Sequence, residues 1–269
     1  MTTATTLTTD GALAVAAALR IQTLPLALAL HPRHTDHREL DAARDAALSD
    51  LRERGVLNSD DEVRDDELAT ALLTIAHPER QLVARILRGE NPDADTMIRF
   101  CLARRGLDHA VAIRTDDTLE IASVWVDADP LTLTRPLLSA LGPCEPAEIA
   151  VCSAPTDELR RFLDATDAGH TGGGYAPSLS EPAAAAIGSA LRQRHSVAEI
   201  VCYSHRDGRA VRSPAAAAVY DTAAGRIVGG GSVTADGQTW TTLSPGSDHR
   251  LTQVIATLIE SLPEGGWMP

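Results

Sequence analysis

Residues 97–126 read MIRFCLARRGLDHAVAIRTDDTLEIASVWV. Three short runs, Met97 to Ala103, His109 to Thr115 and Leu119 to Val126, have the β-branched and apolar content of strands, and Asp116 and Asp117 supply the turn between the last two. Gln81 to Leu87 is a fourth such run just upstream. The spacing predicts an antiparallel meander of four strands. On its C-terminal side, Asp129 and Pro130 start a helix expected over Leu131 to Leu141.

Upstream, Leu40, Ala43, Ala47, Leu48 and Leu51 recur at helical spacing, with Arg38, Glu39, Arg44, Asp45, Arg52 and Glu53 on the other side. A helix over Asp36 to Arg54 follows, capped by Thr35 or Asp36, with Glu39 placed as in a capping box and Gly55 as its stop. A second helix is expected over Asp66 to Ala76, ended by Pro78. The later part of the chain shows the same order. Helices are expected over Thr156 to Ala165 and over Glu181 to Arg194, the latter with Ser180 as cap and Pro182 at its start. Strands follow over Glu199 to His205, Ala215 to Asp221, Arg226 to Val233 and Gln238 to Leu243. Asp207-Gly208, Ala224-Gly225 and Asp236-Gly237 mark the turns. A last helix over Asp248 to Leu262, capped by Ser247, buries Leu251, Val254, Ile255, Leu258 and Leu262 on one face. Helices, meander and helix thus occur twice, without evident residue identity. The pattern predicts an α+β domain of two pseudo-repeats, about 1–145 and 146–269, joined near Gly142 to Pro155. Gly169 to Tyr175 is expected to form an exposed loop.

The 269 residues are enough for a large core without disulfide or metal staples. All 24 basic residues are Arg, and 37 acidic residues bring the formal net charge to −13. Such a surface repels phosphate backbones and anionic lipid heads, which argues against nucleic-acid and membrane-surface roles. Aromatic residues make up 3% of the chain, too few for base-stacking platforms. Cys101, Cys144, Cys152 and Cys202 form no C-x-x-C and are expected as reduced thiols. Gly11 to Leu30 is the most apolar stretch. Arg20, Gln22 and Pro25 interrupt it and no basic residue precedes it, so neither a secretory signal nor a spanning helix is expected. The expected location is the cytoplasm.

Several residue groups resemble chemical motifs without meeting their geometry. His31, His34 and His37 are separated by Pro32 and precede a helix, so they do not share one helical face as zinc ligands at i and i+4 would. His170-Thr171-Gly172-Gly173-Gly174 lacks the spacing of a phosphate loop, and the chain has no Lys to serve one. Ser247-Asp248-His249 holds triad residue types at consecutive positions that point in different directions, and helix capping explains Ser247. Asp60, Asp61, Glu62, Asp65 and Asp66 fit a solvated loop and helix start. No G-x-S-x-G elbow and no H-E-x-x-H occurs. What remains is a broad sheet, part of which helices leave free. Ala215 to Ala218 suit a shallow surface able to receive an apolar helix tip, and equally suit helices packing close to the sheet.

The chain resembles the EspG family, cytosolic chaperones associated with type VII (ESX) secretion in actinobacteria. The resemblance rests on Glu39 to Leu57, ELDAARDAALSDLRERGVL, on Asp66 to Leu82, DELATALLTIAHPERQL, and on Tyr220 to Gly225, YDTAAG, continuing through Arg226, Trp240 and Ser244-Pro245-Gly246. It implies a central antiparallel sheet flanked by two helical bundles with quasi-twofold symmetry, and it implies no catalysis; the motif spacing read above gives no reason to expect a metal or cofactor. It further implies a partner, the helical tip of the PPE protein in a PE–PPE heterodimer, kept soluble and delivered for export. The free chain is then expected as a monomer or weak homodimer. Gly229 to Gly231 departs from a good strand and is expected to make a bulge or loop. Candidate contacts are Arg88, Glu90 and Asp93 in the Arg88–Asp95 loop, with Tyr203, Tyr220 and Trp240 in the second meander. The alternative reading is a small-molecule enzyme whose site only the fold assembles; convergent titratable groups in a deep pocket would mark it.

Overall fold

In the computed structural model, the described residues are 4–89, 97–167, 181–234 and 236–269. Among them, eleven strands form a single antiparallel sheet. In the first half, β1 (Thr5–Thr8) leads through helices α1 (Thr9–Ala18), α2 (His37–Glu53) and α3 (Asp66–Ala76) into the meander. That meander is β2 (Arg80–Arg88), β3 (Met97–Arg105), β4 (Asp108–Thr115) and β5 (Thr118–Ser123), and α4 (Pro130–Leu141) closes the half. The second half runs β6 (Cys152–Pro155), α5 (Thr156–Asp167), α6 (Glu181–Arg192), β7 (Arg194–Arg206), β8 (Arg209–Arg212), β9 (Ala217–Thr222), β10 (Gly225–Val233), β11 (Thr239–Pro245) and α7 (Asp248–Glu260).

The order across the sheet is β1-β5-β4-β3-β2-β7-β9-β10-β11-β6, with β8 attached to β7. Reading outward from the central β2–β7 pair, the two halves repeat the same sequence of connections. The halves are therefore quasi-twofold related.

Local chemistry accounts for the helix limits. The Asp36 carboxylate accepts from the Arg38 and Glu39 amides at 2.9 and 3.3 Å, and Asp65 does the same for Glu67 and Leu68 at 2.9 and 3.2 Å. The expected capping box is not closed, because Glu39 turns instead to His34 Nδ1 at 3.3 Å. Ser247 Oγ accepts from the Arg250 amide at 3.1 Å, so the apparent Ser-Asp-His group is a helix cap. The strand expected to reach Val126 stops at Ser123, and β7 starts five residues earlier than its apolar run because its first residues pair with the ends of β2 and β9.

The two faces of the sheet are covered differently. On one face α4 and α7 pack on each other over the centre, where Leu82, Ile86, Phe100, Leu102, Ile200, Val219 and Val228 meet Leu133, Leu137, Ile255 and Leu258. On the other face α1 and α3 cover Cys101, Ala103, Ala112 and Ile121 of the first half. A separate pair, α5 and α6, covers Cys152, Ile227 and Leu243 of the second half. Two helical groups thus flank one face, with a gap between them.

The three glycines form neither bulge nor loop. Gly229, Gly230 and Gly231 pair in unbroken register with Leu243, Thr242 and Thr241 of β11. The physical reason is close approach: a Cβ on Gly230 would lie 2.9 Å from Val254 Cγ2 of α7, so the missing side chain lets that helix lie directly on β10.

The halves are joined through Arg226, which is 1% exposed. Its Nε and Nη2 donate to the two Asp221 oxygens at 2.6 and 2.9 Å, and Nη2 also donates to Gly142 O at 2.9 Å. Its amide donates to Glu145 O, and its carbonyl accepts from Ala147 and Gly246. Burial is the largest influence and opposes the guanidinium charge, but the hydrogen bonds to Asp221 together with the nearby negative charge, chiefly that of Asp221, outweigh it, so the pKa lies above the ordinary arginine value. Arg226→Ala would strand Asp221 in a dry site; we expect a loss of about 3–5 kcal/mol in urea unfolding. A loss below about 1 kcal/mol would show that the pair does not hold the join.

Candidate partner-binding groove

Between the two flanking helical groups, β2, β7 and β9 present an open groove of about 2720 Å³. Alternation along the strands sends Val83, Arg85 and Leu87, then Val197, Glu199, Val201 and Tyr203, then Ala218 and Tyr220 into it. Their neighbours Ala84, Ile86, Ala198, Ile200, Ala217 and Val219 belong to the core under α4 and α7. One wall is the segment after α1, where Leu24, Pro25 and Leu26 lie, with Leu26 95% exposed. The other wall is Leu159, Arg160 and Leu191 to Arg194 of α5, α6 and the start of β7.

Strand register arranges the floor in transverse rows. Arg114, Arg99, Arg85, Glu199, Ala218, Gly229 and Leu243 stand opposite one another on successive strands. Beside this row lies an apolar one, Leu87, Val197, Tyr220 and Ile227. On its other side, Val83 stands opposite Val201.

Burial shifts two ionisable groups of the groove lining, Arg99 and His205. Burial first, then Arg85 and Arg114, lowers the pKa of Arg99, and Arg99 Nη1 donates to Ala27 O at 3.3 Å. Burial and then Arg80 lower His205, whose Nε2 lies 3.3 Å from Gln81 Oε1. Two thiols lie under or behind the floor: burial pushes Cys101 and Cys202 up to about 12, which makes them poor nucleophiles.

The sequence profile of the EspG family matches residues 8–257. The chain belongs to the EspG family. It is 28% identical over 266 residues to the ESX-1 secretion-associated protein EspG1 of Mycobacterium tuberculosis, covering 97% of this chain and 88% of that protein. To the ESX-3 secretion-associated protein EspG3 of Mycolicibacterium smegmatis it is 28% identical over 265 residues, covering 98% and 88%. The fold is similar to that of the M. tuberculosis type VII secretion system chaperone EspG5, solved in complex with a PE25–PPE41 dimer: TM-score 0.78, 21% identity, 98% of this chain and 99% of that one. No helix among the described residues of this EspG chain is long and apolar enough to cross a membrane.

Within this EspG fold, Tyr203 and Tyr220 face the groove from β7 and β9, at opposite ends of it, whereas Trp240 borders it on β11 and by alternation falls with Thr242, the partner of Gly230, on the α7 face; all three are half-buried. Trp240 Nε1 donates to Gln238 Oε1 at 3.2 Å. Arg88 points elsewhere: Nη2 donates to Ala140 O and Leu141 O at 2.9 and 3.3 Å, clamping the end of α4 on the opposite face. Glu90, Asp93 and the Gly169–Tyr175 segment lie outside the described residues. Sequence reading missed the arginine row and the Leu24–Leu26 wall. Arg85 and Arg99 could have been noticed as charges interrupting apolar strands, but their opposition depends on register.

The alanine run resolves by alternation. Ala218 faces the groove, whereas Ala217 is 2% exposed in the core beneath α7. Ala217→Leu is therefore expected to overpack the core and cost about 1–3 kcal/mol. Ala218→Leu, one residue away, should stay within about 0.5 kcal/mol of the parent. Equal destabilisation in chemical unfolding would contradict this assignment of faces.

Proposed function

We propose that this chain is a cytoplasmic export chaperone of type VII secretion, without catalytic activity, that receives the helical tip of a PPE protein from a PE–PPE heterodimer in the groove. One observation carries the reading: on one face the centre of the sheet is left open between two helical groups, with apolar rows on either side of a charged one. The EspG5 relative, solved with a PE25–PPE41 dimer, supplies the class of partner. We also read the chain as two repeats, about 1–145 and 146–269, with the groove running across their seam.

The physics suits a holdase. An apolar helix end exposed before export invites association with any other apolar surface. Covering it replaces water contact at roughly 25 cal/mol per Å² of apolar area. Ordering and association costs offset much of that gain, so shape and charge around the contact set which partner is held. A floor of packed strands needs little reordering, which lowers the cost of binding.

The test is co-expression with each PE–PPE pair of the source genome, followed by size exclusion. The chain is expected to co-elute with at least one pair as a three-protein complex, and Ala218→Trp, which fills the groove, should abolish it without lowering the melting temperature. Failure to co-elute with any pair would contradict the proposal.

A further inference from the structure

Although the chain carries a net charge of −13, the groove lining among the described residues holds six arginines, at 85, 99, 160, 192, 194 and 212, against one carboxylate, Glu199. At about 0.15 M salt the screening length is about 8 Å, so a molecule seated in the groove feels this lining far more than the distant acidic surface.

The row Arg114, Arg99, Arg85 places three like charges directly opposite one another on β4, β3 and β2, an arrangement that destabilises a sheet. Two of the three have internal work. Arg114 Nη1 donates to Leu28 O and Ala29 O at 3.0 and 2.6 Å, and Arg99 Nη1 to Ala27 O, so both tie the Leu26–Ala29 wall to the floor. Arg85 has none. It is exposed, makes no hydrogen bond or ion pair among the described residues, and is not paired even with Glu199 directly across on β7. On either side, about two residues or roughly 7 Å along the strands, lie the apolar positions Leu87 and Val197, and Val83 and Val201.

We propose that the groove selects a helical tip in which a carboxylate is flanked by apolar side chains, the carboxylate pairing with Arg85 while the apolar groups seat on the rows to either side. This rests on the chaperone reading and adds the chemistry of the tip. A purely apolar tip would bury Arg85 without a partner and a basic tip would be repelled; only an acidic group offsets the desolvation of the guanidinium.

The experiment uses a PE–PPE pair that co-elutes with the parent chain. Its affinity is measured by titration calorimetry at 50 and 500 mM NaCl for the parent, Arg85→Gln, Arg85→Glu and Arg44→Glu. Arg44 is exposed on α2, outside the groove, so reversing it changes the net charge as Arg85→Glu does. Arg85→Glu is expected to weaken binding about tenfold or more, in line with interfacial charge pairs. Arg85→Gln should weaken it less, and Arg44→Glu should stay within about twofold of the parent. Parent affinity should fall with salt, and a tip variant with its carboxylate replaced by Arg should regain affinity for Arg85→Glu. Circular dichroism and melting temperature check that each variant is folded. Complexes that form equally well with Arg85→Glu and Arg44→Glu would overturn the inference and leave the chaperone reading intact. Absence of any complex with the parent chain would overturn both.

Discussion

Nine consecutive residue pairs, from Arg80 opposite Ser204 to Arg88 opposite Ser196, join the two halves of the sheet along β2 and β7. Both strands are central and have two faces to bury. One face is sealed by α4 and α7, which meet over the seam. The other is not, because each remaining helical group packs on its own half of the sheet: α1 and α3 against β1 and β3 to β5, α5 and α6 against β6, β9 and β11. α3 and α6 lead straight into the central strands β2 and β7, but α3 lies against β3, β4 and β5 and α6 against β9, which leaves the seam uncovered. The open strip is thus a consequence of duplicated topology, and its floor is held rigid by the sealed face behind it.

Rigidity is reinforced where the halves are linked in sequence. Arg226 binds the β9–β10 hairpin, the Gly142–Ala147 connection and the turn after β11 into one hydrogen-bonded unit. Gly230 allows α7 to rest directly on β10. A receptor surface built this way loses little conformational entropy on binding, and its selectivity must come from the pattern it displays. That pattern is a charged row between apolar rows, set by register alone.

Much of the fold was legible because periodicity and turn chemistry agreed. The Asp66–Ala76 helix has the expected limits, and the meander strands lie within a few residues of their apolar runs. The two short edge strands β1 and β6 and the exposed β8 were not legible, since four residues give no period to read and β8 buries nothing. Gly229–Gly231 misled because strand propensity is weak there, while tertiary packing against Val254 makes glycine the residue that fits. Of the groove, Tyr203 and Tyr220 could be picked out as scarce residue types, and Trp240 with them, but the face each one takes depends on register. In sequence Arg88 reads as the start of a loop, whereas β2 extends through it and alternation places it on the face of Ala84 and Ile86, beside α4. The Arg85–Arg99–Arg114 row required knowing which residues stand across from which.

The claim that a partner covers the open strip is tested most directly by hydroxyl-radical footprinting of the free chain and its complex. Tyr203 and Tyr220 should lose reactivity on binding, while Trp125, 75% exposed and outside the groove, should keep it. Protection of Trp125 with unchanged reactivity at the two groove tyrosines would place the partner elsewhere and contradict the account.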